Sequence, residues 1–536
     1  MGSRWPTLCL PILLAASACG SDILMVTMGG TKSHKIPFWE LARGLIRRGH
    51  NITLISAFPP DFHVQGLEEI APDGLASFIR SYMSLDLVGA RMRGEEPLPY
   101  KDIIRFGYEA CDAFLNDYET RSFLRSGRTF DLIILDGAYP ECALGIVYRQ
   151  KVPFMYINTV GFYSGPTSTS GSPAPYSVTP IFAKSFTDNL GFVDRVRNTF
   201  WHVGAFVGHA VSVTILQGVL RRHFGQQIPH VYDMGKNVSF ILQNGHYSVS
   251  YPRPYLPNVA EVACIHCKEP KKLNAALEDW ISGAGEEGFV YVSMGSSVRT
   301  DNMPLKVHRM MVEALGRLPQ RVLWKQDAEQ NLTDIPSNVR LYKWLPQQDL
   351  LGHPKIKAFV THGGLLSMFE TVYHGVPIVS IPIFCDHDSN AAKAEVDGYA
   401  KKLELQYLTA DKLFSAITEV INDPKYKNQV KKRRVFLRDQ KESPLERAIY
   451  WTEYVIRHKG AYHLQSPAKD LNFIQYYSLD ILFVFITFII TFSLLISYTL
   501  RFGFKKFVDY IQNKHMDQLM DRSRNLTKSN KLMDKS

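Results

Sequence analysis

The sequence predicts two Rossmann-like α/β domains facing each other across a cleft, followed by one C-terminal transmembrane helix. Three observations predict it. Apolar runs of strand length alternate with helical stretches in two separate series, 22–157 and 289–400. Between them lies YPRPYLPNV (251–259), whose prolines cannot continue a helix or an inner strand. Near the end, ILFVFITFIITFSLLISYTL (481–500) carries no charge and is long enough to cross ~30 Å of hydrocarbon.

Composition sets the outer bounds. The chain has 536 residues, 46% hydrophobic and 21% charged, with 7 Cys, 36 Gly and 29 Pro. That excludes a disordered chain, a collagen-like chain and a small disulfide scaffold. The net charge is +10, of which the tail 501–536 holds +5 and residues 21–500 only +4. So mild a charge on the main body gives no reason to invoke nucleic acid. The basic tail belongs on the cytosolic side of a membrane.

From the N-terminus, residues 1–20 read as a signal peptide. Arg4 precedes an apolar run from Leu8 to Ala16, and Ala16, Ser17 and Ala18 give the small-residue cleavage pattern. Residues 21–250 form the first domain. Strand DILMVTM (22–28), loop GGTKSH, a helix opened by Pro37 and strand NITLISAF (51–58) make a β-α-β unit, which demands a parallel sheet. FDLIILD (130–136), a helix over 140–149 and VPFMYI (152–157) repeat it. Segment 161–182, rich in Ser, Pro and Gly, is a long loop, and the apolar stretch 200–224 reads as a core helix. Residues 251–285 are the linker. In the second domain, 286–475, FVYVSMGS (289–296), RVLWK (321–325), VRLYKWL (339–345), KAFVTHGG (357–364) and VPIVSIPIF (376–384) are strands. Helices fall at 304–317, after Gly364 and at 389–400, and the last helices return to the first domain. The membrane helix occupies 476–500.

Five cysteines remain beyond the signal, an odd number. Cys264 and Cys267 form a lone CxxC, too few ligands for zinc, and read as structural. Sequons stand at Asn51, Asn237, Asn331 and Asn525. The last lies in the cytosolic tail, and Asn51 opens a strand, so Asn237 and Asn331 are the better acceptors.

Ligands of such sheets bind beyond the carboxyl ends of the strands. His34 follows the first strand and Asp136 ends FDLIILD, so the two can converge as a general base and its carboxylate partner. In the second domain, His362, Gly363 and Gly364 lead a strand into a helix whose amides suit phosphate. Ser367 adds a hydroxyl, and Ser296 sits in a second glycine turn. Trp344 offers a face for a base, Glu370 an acceptor for ribose hydroxyls and Asp386 one for a sugar. Together these describe a nucleotide-sugar pocket.

WLPQQDLLGHPKIKAFVTHGGLLSMFETVYHGVPIVSIPIFCDH (344–387) resembles the signature of the UDP-glycosyltransferases, and the chain is similar to their animal, membrane-anchored branch over nearly its whole length. The resemblance implies a GT-B fold and inverting transfer of a hexose from a UDP-sugar to a small lipophilic acceptor, with no metal or other cofactor. It implies His34 as base and Asp136 as its partner. Trp344 would stack on uracil beside Gln347, and His362 and Ser367 would contact the diphosphate. Glu370 would hold the ribose, and Asp386 and His387 the sugar. Leu365 and Leu366 stand where many members carry a polar Asn, and His387 replaces the usual Gln. The family further implies residence in the endoplasmic reticulum membrane, single-pass with the N-terminal part lumenal. Membrane lipid is an expected partner, and homo- or hetero-oligomerisation is left open. The tail lacks dilysine spacing. The acceptor is not readable, although loops 60–125 and 160–225 border its pocket. The alternative is a non-catalytic protein that binds a lipophile or nucleotide sugar on the same scaffold. A dinucleotide-binding oxidoreductase is weaker, because no G-x-G-x-x-G follows the first strand.

Overall fold

The computed structural model describes residues 20–59, 63–161, 164–299, 303–326 and 335–533. The signal peptide and the sequon at Asn331 lie outside them. The described residues form two compact units, divided between Lys469 and Asp470.

The first unit contains two parallel sheets. One has the order β3-β2-β1-β4-β5-β6-β7. Its strands are β1 (Asp22–Thr27), β2 (Asn51–Ser56), β3 (Leu67–Ile70), β4 (Leu132–Asp136), β5 (Phe154–Asn158), β6 (Phe240–Gln243) and β7 (Val259–Glu261). The other has the order β10-β9-β8-β11-β12-β13. Its strands are β8 (Phe289–Ser293), β9 (Arg321–Lys325), β10 (Val339–Tyr342), β11 (Ile356–Thr361), β12 (Ile378–Ser380) and β13 (Ala400–Lys402). Both have the doubly wound order, in which strand direction of travel reverses beside the first strand and opens a crevice there. That crevice lies between β1 and β4 in one sheet and between β8 and β11 in the other. Residues of β4 and β8 are buried on both faces, which is why they read as unbroken apolar runs.

Eight helices bear on function. They are α1 (Lys32–Arg47), α2 (Leu87–Met92), α3 (Phe192–Phe224), α4 (Gln347–Leu351), α5 (Leu365–His374), α6 (His387–Val396), α7 (Pro444–Arg457) and α8 (Leu479–Met533). Helix α7 follows the second sheet yet packs on α1, with Leu445 and Ile449 against the core that α1 shares with the first sheet.

Four features differ from the sequence reading. Helix α1 begins at Lys32, so Pro37 lies inside it rather than at its head. The extended Thr31 starts the helix, the His34 N–H already bonds the Thr31 carbonyl at 3.1 Å, and proline gives up one later hydrogen bond. Strand β7 comes from the expected linker and pairs with β6. Helix α3 is not a core helix: Phe192, Val196, Phe200, Val203, Phe206, Val207, Val211 and Ile215 are exposed along it. Helix α8 does not end with the apolar run but continues through the basic tail. All of its residues through Ser529 are unburied in the structure, and its apolar part fits a membrane anchor. Cys111 pairs with Cys142 and Cys264 with Cys267, leaving Cys385 as the free thiol among the described residues.

Candidate active site

Adjacent strand ends create the first half of the site. His34, in the first turn of α1, meets Asp136, the last residue of β4, with 3.0 Å between Nδ1 and a carboxylate oxygen. Asp136 is 1% exposed. It also accepts hydrogen bonds from the Thr27 hydroxyl (3.1 Å), the Thr159 hydroxyl (2.9 Å) and the Ala138 N–H (3.0 Å). The Thr159 oxygen is 2.8 Å from His34 Nδ1. With Asp136 and the Thr159 oxygen both on that side, the proton belongs on Nδ1, and the Nε2 lone pair is left for substrate. Burial alone would lower the His34 pKa, but the charge and hydrogen bond of Asp136 outweigh it, with Asp386 adding, and the net shift is upward. Gly29 makes the pairing sterically feasible, since a Cβ there would stand 2.4 Å from His34 Nδ1 and 2.6 Å from Asp136.

The second half forms at the β8/β11 crevice. Gly363, at φ +87°, turns the chain from β11 into α5, in a space where a Cβ would meet Ser380 and the His387 carbonyl. Gly364 caps α5 without a side-chain bond, so the first-turn amides beyond Leu365 stay available. His362 is buried, and its ring meets that of His387 edge-on at 4.4 Å between centroids. Burial, with His387 and Lys325 adding, holds the His362 pKa well below the imidazole range. Burial, with Arg91 adding, pushes His387 down to about 3. Both rings are therefore neutral near pH 7. Exposed Ser296 neighbours Gly295, whose carbonyl accepts from Lys325 Nζ at 2.9 Å.

Gln347, heading α4, ties together Ser367, Glu370 and Tyr291. Its amide donates to Ser367 Oγ (2.9 Å) and to Glu370 Oε2 (2.6 Å), and its carbonyl accepts from the Tyr291 hydroxyl at 3.2 Å. Trp344, three residues earlier, is 71% exposed. The Lys32 and Lys325 ammonium groups each lie 6.0 Å from its ring. Asp386 accepts from Asn390 Nδ2 at 2.8 Å and from the Leu365 N–H. Burial raises its pKa, while Asn390, His34 and that N–H oppose the rise. The mutual influence of Asp386 and His34 shows the two strand-end clusters converging. Leu365 packs over the backbone at Gly161 of the first domain.

The structure thus places His34 against Asp136, Gln347 against Ser367 and Glu370, and His362 against His387, while Ser296 and Trp344 stand exposed. Sequence reasoning missed Thr159, which directly follows β5 and was open to the strand-end rule that found Asp136. It also missed Lys325, Arg91 and His266, whose partners are distant in sequence. Of the sequons, Asn51 is exposed but donates to Asp22 at 3.0 Å, and Asn237 is exposed in the turn before β6. Among the described residues, no three His, Cys, Asp or Glu side chains group as metal ligands.

Residues 91–514 match the family model described as "UDP-glucoronosyl and UDP-glucosyl transferase". The chain is 32% identical over 495 residues to a protein of Dactylopius coccus named UDP-glucosyltransferase 2, covering 91% of this chain and 94% of that one. It is 32% identical over 509 residues to the human 2-hydroxyacylsphingosine 1-beta-galactosyltransferase, covering 93% and 92%. In structure it is similar to CalG4, the calicheamicin glycosyltransferase, with a TM-score of 0.54, 16% identity, and coverage of 82% and 99%, a likeness of fold. The crevice pair at the ends of two doubly wound sheets is the GT-B arrangement, and the chain belongs to the UDP-glucuronosyl and UDP-glucosyl transferase family, as a UDP-sugar-dependent glycosyltransferase.

Proposed function

We propose that the protein transfers a hexose, with inversion, from a UDP-sugar to a small lipophilic acceptor, without metal or other cofactor. His34 is the base and Asp136 its partner. The observation carrying this is the engagement of His34 Nδ1 by Asp136 and Thr159, which leaves Nε2 to take a proton. As the acceptor oxygen attacks the anomeric carbon, its proton passes to Nε2. The bond from that carbon to the diphosphate breaks, and UDP leaves with the electron pair. Asp136 stabilises the imidazolium that forms. An α-linked donor gives a β-linked product.

The uncapped amides of α5, with His362, Ser367 and Ser296, receive the diphosphate charge. Trp344 stacks on uracil, Glu370 and Gln347 take the ribose, and Asp386 and His387 hold the hexose. A neutral His387 offers no countercharge to a glucuronate carboxylate, so the reading favours a neutral hexose, glucose or galactose. Loops of the first domain border the acceptor. The protein sits in the endoplasmic reticulum membrane, anchored by α8, with residues 21 to about 475 lumenal and open to glycosylation at Asn237. Membrane lipid meets α8 and the exposed face of α3.

The test is UDP release by membranes carrying the protein, given UDP-glucose, UDP-galactose, UDP-glucuronate or UDP-N-acetylglucosamine with a panel of phenols and sterols. Acceptor-dependent release with glucose or galactose is expected, matched by a glycoside product. Bound UDP-sugar with no release for any pairing would replace this reading with a non-catalytic binder.

A further inference from the structure

We propose that His266 is a positioning residue for the donor, seating Glu370 for the ribose from a turn closed by the Cys264–Cys267 disulfide. The inference rests on the reading of Glu370 as the ribose contact.

The turn joins the two domains. Val262 and Ile265 insert into the core of the first sheet, while Ala263 and Cys264 insert into that of the second. Cys267 N–H bonds the Cys264 carbonyl at 2.9 Å, and the disulfide closes the same turn. Cys264 adopts φ +67°, a left-handed conformation that a non-glycine residue takes only when its surroundings fix it.

His266 is 2% exposed, with Nε2 3.2 Å from Glu370 Oε1. The other Glu370 oxygen takes the Gln347 amide at 2.6 Å. The carboxylate thus lies between the turn, which it touches through His266, and α4, which bonds it. The His266 carbonyl accepts from Gln348 Nε2 at 3.1 Å, and the Lys268 N–H returns a bond to Gln348 Oε1 at 2.7 Å, so turn and α4 are fastened as one piece. Lys268 Nζ reaches Glu40 of α1 at 2.7 Å, tying the piece to the helix that carries His34. Neither His266 nitrogen has a directed hydrogen bond. An imidazole buried in that state costs stability, and an apolar residue would fill the space without the cost. What the imidazole supplies is a polar edge against Glu370.

The experiment uses the full chain in detergent. UDP affinity is measured by titration, and KM and kcat with the preferred UDP-sugar. His266→Phe should weaken UDP binding and raise the UDP-sugar KM about tenfold, with kcat changed less than about twofold. His266→Gln, which restores an N–H donor, should recover most of the loss. Glu370→Gln should show the same loss, and His266→Phe combined with it should add little. A dithiol reductant breaks the disulfide: each cysteine sulfur gains one electron and one proton, and the dithiol closes to its own disulfide. Reduction should weaken UDP binding in the parent but not in the Cys264→Ser/Cys267→Ser variant, which separates this bond from Cys111–Cys142. If Glu370→Gln weakens UDP binding while the folded His266→Phe variant, or His266→Leu should Phe not fold, binds UDP as the parent does and reduction changes nothing, the positioning role is overturned. If Glu370→Gln binds UDP as the parent does, the ribose reading itself has failed.

Discussion

Asp136 receives bonds from His34, Thr27, Thr159 and a backbone N–H, and no solvent reaches it in the structure beyond 1% exposure. On the proposed reading of His34 as the base, the Asp136 charge decides when His34 can act. A base works only unprotonated, and Asp136 holds the His34 pKa above its ordinary value, so kcat/KM should rise with pH through that raised pKa. Asp136→Asn keeps the shape and removes the charge. Burial then dominates, the His34 pKa falls, and the acid limb of the kcat/KM profile should move to lower pH. The plateau should drop by about 10²-fold or more, because the imidazolium loses its partner. An unmoved acid limb would show that His34 is not the titrating base. His34→Ala should lose the limb altogether along with about 10²–10⁴ of the rate for hydroxyl acceptors.

At the scale of elements, α2 crosses from one domain to the other. Its Leu87 and Val88 lie in the core of the second sheet, although the helix belongs to the chain of the first. Arg91 on α2 bonds Asp388 at 2.7 Å and Glu404 at 3.0 Å. Lys402 bonds Ser185 at 2.7 Å, and Ser389 bonds the Lys184 carbonyl at 2.8 Å. Helix α6, which opens on His387 just after Asp386, is therefore clasped by two segments of the opposite domain. Arg91→Ala should raise the UDP-sugar KM several-fold more than the acceptor KM. Its effect should couple with Asp388→Asn, as expected of groups in one ion-pair network. Independent effects on KM would mean the clasp does not hold the sugar pair. Elements like these mark what the sequence can disclose. His34 and Asp136 were legible because strand ends follow from local apolar runs, and the glycine turn at 363–364 because its backbone need is local. Strand β7 was not legible: three residues in a proline-rich stretch pair only because β6 offers an open edge. Arg91 and His266 were hidden for a similar reason, since each acts on a partner about 100 or more residues away.

For the whole molecule, two surfaces point to lipid by different chemistry. Helix α8 is apolar all round over 481–500, as a bilayer span must be. Helix α3 is one-sided. Asn198, His202, Val213, Leu216 and Leu220 are buried, while Phe200, Val203, Phe206, Val207 and Val211 face outward. From 198 to 220 there is no Lys, Arg, Asp or Glu, and Arg195, Arg197, Arg221 and Arg222 flank the stretch. That pattern suits a helix lying in a membrane interface, with apolar groups toward the acyl chains and cations at the headgroups. A protease site inserted between residues 471 and 478, cut in sealed-then-opened microsomes, separates the two contributions. The 21–470 fragment should sediment with membranes after cleavage and resist a salt wash. Val203→Glu, Phe206→Glu and Val207→Glu together should release it while leaving UDP binding intact, because these side chains are exposed on the outer face of α3. Release of the unsubstituted fragment would assign membrane attachment to α8 alone. Release as a dimer would instead assign the α3 face to a second copy of the chain.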